Sequence, residues 1–426
     1  MKKSIVCLSF LLVFSLYFGR GAYADEIAEL KAQVKALQAR VEALEASQET
    51  VQAKQTKTDE RITKIKTMPS ILEGINISAG ATFVVQGTHN ANGDNLDRDR
   101  EDAGDASYSI GLGFEKEFED YGKAVITLEA GGGAGVEDEL KLFSNVNADA
   151  DNDENIRLTE AFYEHYLKDL PLTLAFGKID VKGYIDTNDY ANDECTQFFG
   201  RMFKNSATIE FADNGPGIGF TLKPADFVDA NLVLADADSD WEDMFDNIFL
   251  AGQVSLRPNL FNRDGNYRIL AWINDQAHTG WSDSSSTKDN GYGFGISFDQ
   301  GIADNLGAFI RYGWQDPGQR LSGLDDDFSL EHSWSAGLQF NGNIWDRDKD
   351  VFALAIGQVI PSSDYKNAGD LNAKNEGHFE VYYSYVVNDY LTLSPDIQVI
   401  WNPYGKDATT GDDAIIVGGL RGQVDF

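Results

Sequence analysis

The chain is short of the residues that enzyme sites are built from. Two cysteines and five histidines are spread over 426 residues, too few for a zinc cluster or a thiol pair. Cys7 falls in an N-terminal leader, so Cys195 is left alone and no internal disulfide is expected. No Gly-x-Ser-x-Gly, phosphate-binding glycine loop or histidine pair stands in a sensible setting. The chain is therefore not read as an enzyme, and neither cofactor nor metal is expected. Asp149, Asp151, Asp153 and Glu160 have calcium-loop spacing, but Glu154 stands where the sharp turn needs glycine. A solvated acidic loop is the better reading. Basic residues are outnumbered, 35 against 69 acidic, for a formal charge of −34. That excludes nucleic acid and acidic lipid as partners. Outside the N-terminus there is no run of 18 apolar residues, so no transmembrane helix is expected in the mature chain.

What is plentiful points to strands, with 26 Phe, 17 Tyr and 41 Gly. The last stretch, residues 414–426, reads AIIVGGLRGQVDF. One register carries Val424, Gly422, Leu420, Gly418, Ile416 and Ala414; the other carries Asp425, Gln423, Arg421 and Gly419. A strand turns successive side chains to opposite faces, so one face suits lipid and the other water. A closing strand of this kind belongs to an outer-membrane barrel, which leaves no open edge. From Ile75 onward the same two-residue period recurs. Sixteen strands are expected, near residues 75–85, 108–118, 123–130, 156–167, 172–177, 217–222, 230–235, 249–256, 267–274, 291–298, 305–315, 332–341, 351–359, 379–387, 391–401 and 414–426. A seventeenth, at 208–211, is set aside. Short connections at 119–120, 168–171, 300–304 and 388–390 alternate with long ones at 89–106, 131–155, 276–290, 316–330, 361–377 and 402–413. The phase of short periplasmic turns and long external loops holds only if 208–211 lies inside one long external segment, residues 178–216. A connection of that length is expected to be folded, and here to dip into the lumen and narrow it. The expected fold is all-β: a 16-stranded antiparallel transmembrane barrel over 75–426.

The N-terminus differs. Residues 1–24 carry Lys2 and Lys3, an apolar run and Ala22-Tyr23-Ala24, the pattern of a cleaved signal peptide. Residues 25–67 lack Gly and Pro and repeat every seven. Positions a fall at Ile27, Val34, Val41, Gln48, Gln55 and Ile62, and d at Leu30, Leu37, Leu44, Val51, Thr58 and Ile65. That period predicts a left-handed, parallel coiled coil in the periplasm, with a hinge at 68–74 containing Pro69. A single solvated helix is the plainer alternative, and the number of coiled strands stays open.

Within 178–216, Gly177-Lys178-Ile179-Asp180, then Asp186, then residues 189–194 (DYANDE) with Thr196-Gln197-Phe198, resemble the carbohydrate-selective porin family of OprB type. So do His378, Glu380-Val381-Tyr382-Tyr383, Pro395-Asp396-Ile397-Gln398, Asn402-Pro403, Leu420-Arg421 and Phe426. The resemblance covers about residues 75–426. It implies an outer-membrane barrel, commonly trimeric, that passes sugars or similar small polar solutes by diffusion. A porin meets outer-membrane lipid, and its C-terminal strand would be the handle for the barrel-assembly machinery. Some relatives with a coiled coil carry other cargo, so uptake of an iron chelate, or tethering of the envelope through the coil, stays open as the alternative.

Sugar passage needs polar groups that replace water on hydroxyls and aromatic faces for the CH surface, with binding weak enough to release. Alternation places Glu129, Arg268, Trp272, Arg311, Asp396 and Arg421 inward. The constriction segment adds Lys178, Asp180, Asp186, Asn188, Tyr190, Asn192, Asp193, Glu194 and Arg201 as candidate solute contacts. Phe198, Phe199 and Phe203 are expected to form the packed base of the folded loop. Charged pairs also brace barrel walls, which is the alternative for each of these side chains.

Overall fold

The computed structural model describes Lys35 and residues 74–426, apart from 94–101, 151–153, 245, 261, 283–288, 322–327, 370 and 407–412. The expected signal peptide, the coiled coil at 25–67 and the hinge lie outside the described residues, but for Lys35 and Gly74. Asp151 and Asp153 of the acidic loop are also outside them.

From Gly74 the chain forms one antiparallel sheet rolled on itself. Its strands are β1 (Ile75–His89), β2 (Gly104–Phe118), β3 (Gly122–Gly132), β4 (Arg157–Leu167), β5 (Leu172–Ile179), β6 (Gly215–Ala225), β7 (Val228–Asp236), β8 (Ile248–Leu256) and β9 (Asn259–Leu260). They continue as β10 (Arg263–Gly280), β11 (Asp289–Ala303), β12 (Leu306–Gln315), β13 (Gln319–Leu321), β14 (Leu330–Asn341), β15 (Val351–Pro361), β16 (Glu376–Asn388), β17 (Leu391–Trp401) and β18 (Ile415–Asp425). β9 and β13 are stubs, each paired along β10. The other sixteen form the wall, each laddered to its sequence neighbour. β18 closes on β1 from Gly80 opposite Asp425 to His89 opposite Ile416. Every wall strand thus has two partners, and no row of backbone N–H and C=O groups faces lipid.

The sixteen expected strands are the sixteen observed. Residues 208–211 are not a strand and lie in the long connection between β5 and β6. The main difference is length. β10 runs on to Gly280 because its ladder with β11 resumes, after a register shift between Asn274 and His278, with His278 opposite Asp289, and because Thr279 and Gly280 pair with Arg320 and Gln319 of β13. A two-residue period cannot be followed through such a shift.

The alternation of side chains is visible strand by strand. On β8, Phe249, Ala251, Gln253 and Ser255 are buried inside, while Leu250, Val254 and Leu256 are exposed outside. Outward rows such as Tyr292, Phe294 and Ile310 meet lipid, as their apolarity requires. Inward rows change character along the strand. Towards the long-loop end, Phe249 and Ala251 are apolar; towards the short turns, Gln253 and Ser255 are polar. The apolar half is where chain folded into the barrel packs against the wall.

Candidate functional site

Two long connections turn back inside the barrel, the first over residues 133–150 and the second over 180–214. The second begins with a 3-10 turn, Val181–Gly183, whose cap Asp180 accepts from the Lys182 N–H at 2.9 Å. It includes one short helix, Arg201–Lys204. Its apolar side chains face the wall. Val181, Ile185 and Ile209 pack on Ile179, Val233, Ala235, Phe249 and Trp272. Phe198, Met202 and Phe203 pack on Phe309, Ala353, Ala355 and Tyr382. The phenylalanines are therefore a packed base. Wall glycines make room for loop aromatics: a Cβ at Gly307 would sit 2.1 Å from the Tyr190 ring, and one at Gly219 would sit 2.3 Å from the Tyr184 ring.

Polar anchors fix what the apolar base only places. The Arg311 guanidinium donates to Asp186 Oδ1 (2.9 Å) and to the carbonyls of Asp186 (2.9 Å), Ala191 (3.0 Å) and Phe203 (2.8 Å). Both partners of this pair are 1% exposed. A buried guanidinium is tolerable only when its donors are matched in this way. Arg421 lies 4.2 Å from the centre of the Phe199 ring and donates to the carbonyls of Glu194 (2.6 Å) and Gln197 (2.9 Å). Conversely, wall carboxylates accept loop N–H groups. Glu380 takes Phe199 and Gly200, at 2.6 and 3.0 Å. Glu376 takes Phe143, Ser144 and Tyr404, at 2.9, 2.8 and 2.7 Å. Buried His378 and Gln398 hydrogen-bond each other at 2.9 Å, and Gln398 also donates to the Val146 carbonyl.

Within the shorter loop, Glu137 accepts from the N–H groups of Val146 and Asn147, both at 2.6 Å. Burial outweighs these donors and lifts its carboxyl to about 7. Asp149 accepts from the Ser109 hydroxyl at 2.9 Å and lies 3.4 Å from the Cys195 sulfur. Burial raises it to about 6.

Two lumen cavities remain open beside this insert. The one nearer the long loops, about 510 Å³, is bordered by Phe211, Glu210, Arg320 and Phe328. The other, about 660 Å³, runs along β1–β4 and is bordered by Glu129, Asp180, Glu194 and Lys178, reaching Thr82 and Gln423 near the short turns. Lys182, Arg201, Asn205 and Asp213 border both.

The candidate side chains are thus divided. Lys178, Asp180, Glu194, Arg201 and inward Glu129 face open lumen. Asp186, Arg311 and Arg421 are buried between loop and wall. Arg268 is buried beside Asp299, and Asp396 beside Gln398 at 2.8 Å. Asn188 donates to the Ser297 hydroxyl at 3.1 Å. Asn192 and Asp193 sit in a turn whose N–H groups reach Gln197, and the Asp193 carboxylate accepts from Cys195 and Thr196. Trp272 stacks on Phe249. Lys182, Asn205 and Asp213 were not legible as lumen residues. Nor was the inward turn of 133–150, although its Val136, Leu140, Leu142, Phe143 and Val146 are too apolar for a solvated loop.

A family model described as the carbohydrate-selective porin, OprB family, matches residues 28–426. The high-pH structure of Pseudomonas putida OprB is similar in fold, with TM-score 0.71 and 15% identity over 84% of this chain and 95% of that one. The outer membrane channel DcaP of Acinetobacter baumannii is similar too, with TM-score 0.53 and 12% identity over 83% of this chain and 98% of the other. No curated protein matches the chain significantly. The closed sixteen-strand wall, the folded lumen insert and the span of the family match agree, and the chain belongs to the carbohydrate-selective OprB porin family.

Proposed function

We propose that sugars cross by diffusion along the β1–β4 side of the insert, and that Lys182, Arg201, Asn205 and Asp213 form the narrow point. The observation that carries this reading is that these four side chains border both open cavities. An ammonium, a guanidinium, an amide and a carboxylate together offer donors and acceptors, which a hydroxyl can use in either sense. Phe211 and Phe328 in the upper cavity offer CH-facing surface. Among the described residues, Arg201 pairs with no carboxylate, so its guanidinium is available to a solute. Nothing in this ring would hold a sugar tightly, as passage requires. Lys178, Asp180, Glu194 and Glu129 continue the polar track below. Asp186, Arg311 and Arg421 take the role of anchors in this reading.

The test is single-channel recording in a planar bilayer with a panel of neutral sugars. Arg201→Ala should raise open-channel conductance, by up to roughly twofold, and weaken current block by sugar, because a bulky donor leaves the narrow point. Its backbone N–H to Asn145, at 2.7 Å, is untouched. Unchanged conductance and unchanged block would place the solute path elsewhere.

A further inference from the structure

The insert also encloses a recess on its other side, against β6, β7, β8 and β10, at the short-turn end of the barrel. Its volume is about 250 Å³, and it shares no lining residue with either cavity of the passage. Its floor follows from register. Thr221, Asn231 and Gln253 lie abreast on β6, β7 and β8, and Asp229, Ser255 and Arg268 lie abreast on β7, β8 and β10. Gly183 and Thr187 of the insert border it from above. Apart from Gly183, every side chain around it is polar.

The two guanidiniums are already matched, and of the cations that line the recess Lys223 alone is in no ion pair among the described residues. Arg257 pairs with Asp229, and Arg268 with Asp299. An anion would have to compete with a carboxylate for either guanidinium. A neutral polyol would not, since its hydroxyls can donate to Asp229 and accept from Arg268 or an amide together. The volume falls below the ~300 Å³ at which pockets for drug-sized ligands begin, so it admits one sugar ring and not a chain.

We propose that this recess is a second solute site, taking one neutral polyhydroxylated ring on the periplasmic side of the constriction. It rests on the reading of the barrel as a sugar channel but not on the path through Arg201. Short turns are periplasmic in outer-membrane barrels, so a sugar leaving the passage meets this recess on the way out, and one approaching from the periplasm meets it first.

Local thiol protection tests it. In a Cys195→Ser background, Thr187→Cys and Thr221→Cys place a thiol on the roof and on the floor, and Arg201→Cys reports on the passage. Each is labelled with a small maleimide in detergent, with and without glucose. Heat-modifiable migration on gels checks that each barrel is folded, and either of the first two suffices. Glucose at tens of millimolar should slow labelling at 187 and 221 several-fold, and phosphate should not. No protection at 187 and 221, or thiols there that do not react at all, would overturn the proposal. Protection by phosphate instead of glucose would overturn the neutral class. Protection at 201 alone leaves the passage standing and sinks the recess; protection at 187 and 221 alone does the reverse.

Discussion

At the scale of single residues, the constriction is held by groups whose charge is out of reach of water. Glu137 is the clearest case, because it accepts two short backbone hydrogen bonds and yet titrates at about 7 instead of 4.5. A carboxyl raised on folding favours the folded form most when protonated. Its contribution is complete below about 4.5 and is lost as pH rises through about 7. Arg201 opposes the shift and Asp138 adds to it. Asp149, raised to about 6 in the same loop, acts in the same direction. The expected outcome is that protease nicking in this loop and open-channel noise both grow from about pH 4 to about pH 7 and level off above it. Glu137→Gln keeps an acceptor oxygen for Val146 and Asn147 while removing the charge, and should abolish the part of this rise that runs from about 4.5 to about 7. Adding Asp149→Asn should remove most of the remainder. A wild-type profile flat across that window would show that neither carboxyl governs the loop.

At the scale of elements, wall and insert are separable. The strand hydrogen bonds close around the circumference without using any group of residues 186–198. Replacing 186–198 with a short Gly-Ser bridge is therefore expected to leave a heat-modifiable barrel with clearly higher conductance and weaker saturation by sugar. Arg311 alone is another matter. Removing it with the loop in place would strand the Asp186 carboxylate, at a cost of about 3–5 kcal/mol. Deleting the segment instead removes Asp186 together with the loop, so no carboxylate is stranded, and Arg421, which loses both its loop carbonyls, is returned to lumen water. Constant conductance with a collapse of oligomer stability would mean that the segment latches subunits together. This separability also explains what could be read in advance. Alternation assigns a side chain to a face, and the phase of long and short connections counts the strands, so the wall was legible. Neither signal says what a side chain on that face touches. Arg311 reads as inward, but its partners at 186, 191 and 203 lie more than 100 positions away, and no local pattern links them. Lys182 and Asp213 were hidden for the same reason, since the path of an irregular segment is set by its packing.

At the scale of the whole molecule, the chain is an outer-membrane channel for sugars carrying a heptad segment at 25–67. We propose that this segment is periplasmic and joins three copies of the chain as a trimer. The barrel ladder begins at Ile75, beyond the heptads in sequence. Deleting 25–67 should thus leave an inserted, conducting barrel whose oligomer dissociates at lower temperature in detergent, read by gel migration against temperature. Unchanged dissociation would assign the coil to a periplasmic partner instead. The anchors of the lumen insert carry a different consequence, one of timing. The loops belong to the first third and middle of the chain, whereas Glu376, Glu380, Gln398 and Arg421 belong to its last three strands. A barrel still waiting for β16–β18 can hold the longer loop by Arg311 of β12, but it lacks these four anchors. The constriction is therefore expected to reach its final, fully anchored geometry only when the last three strands are in place.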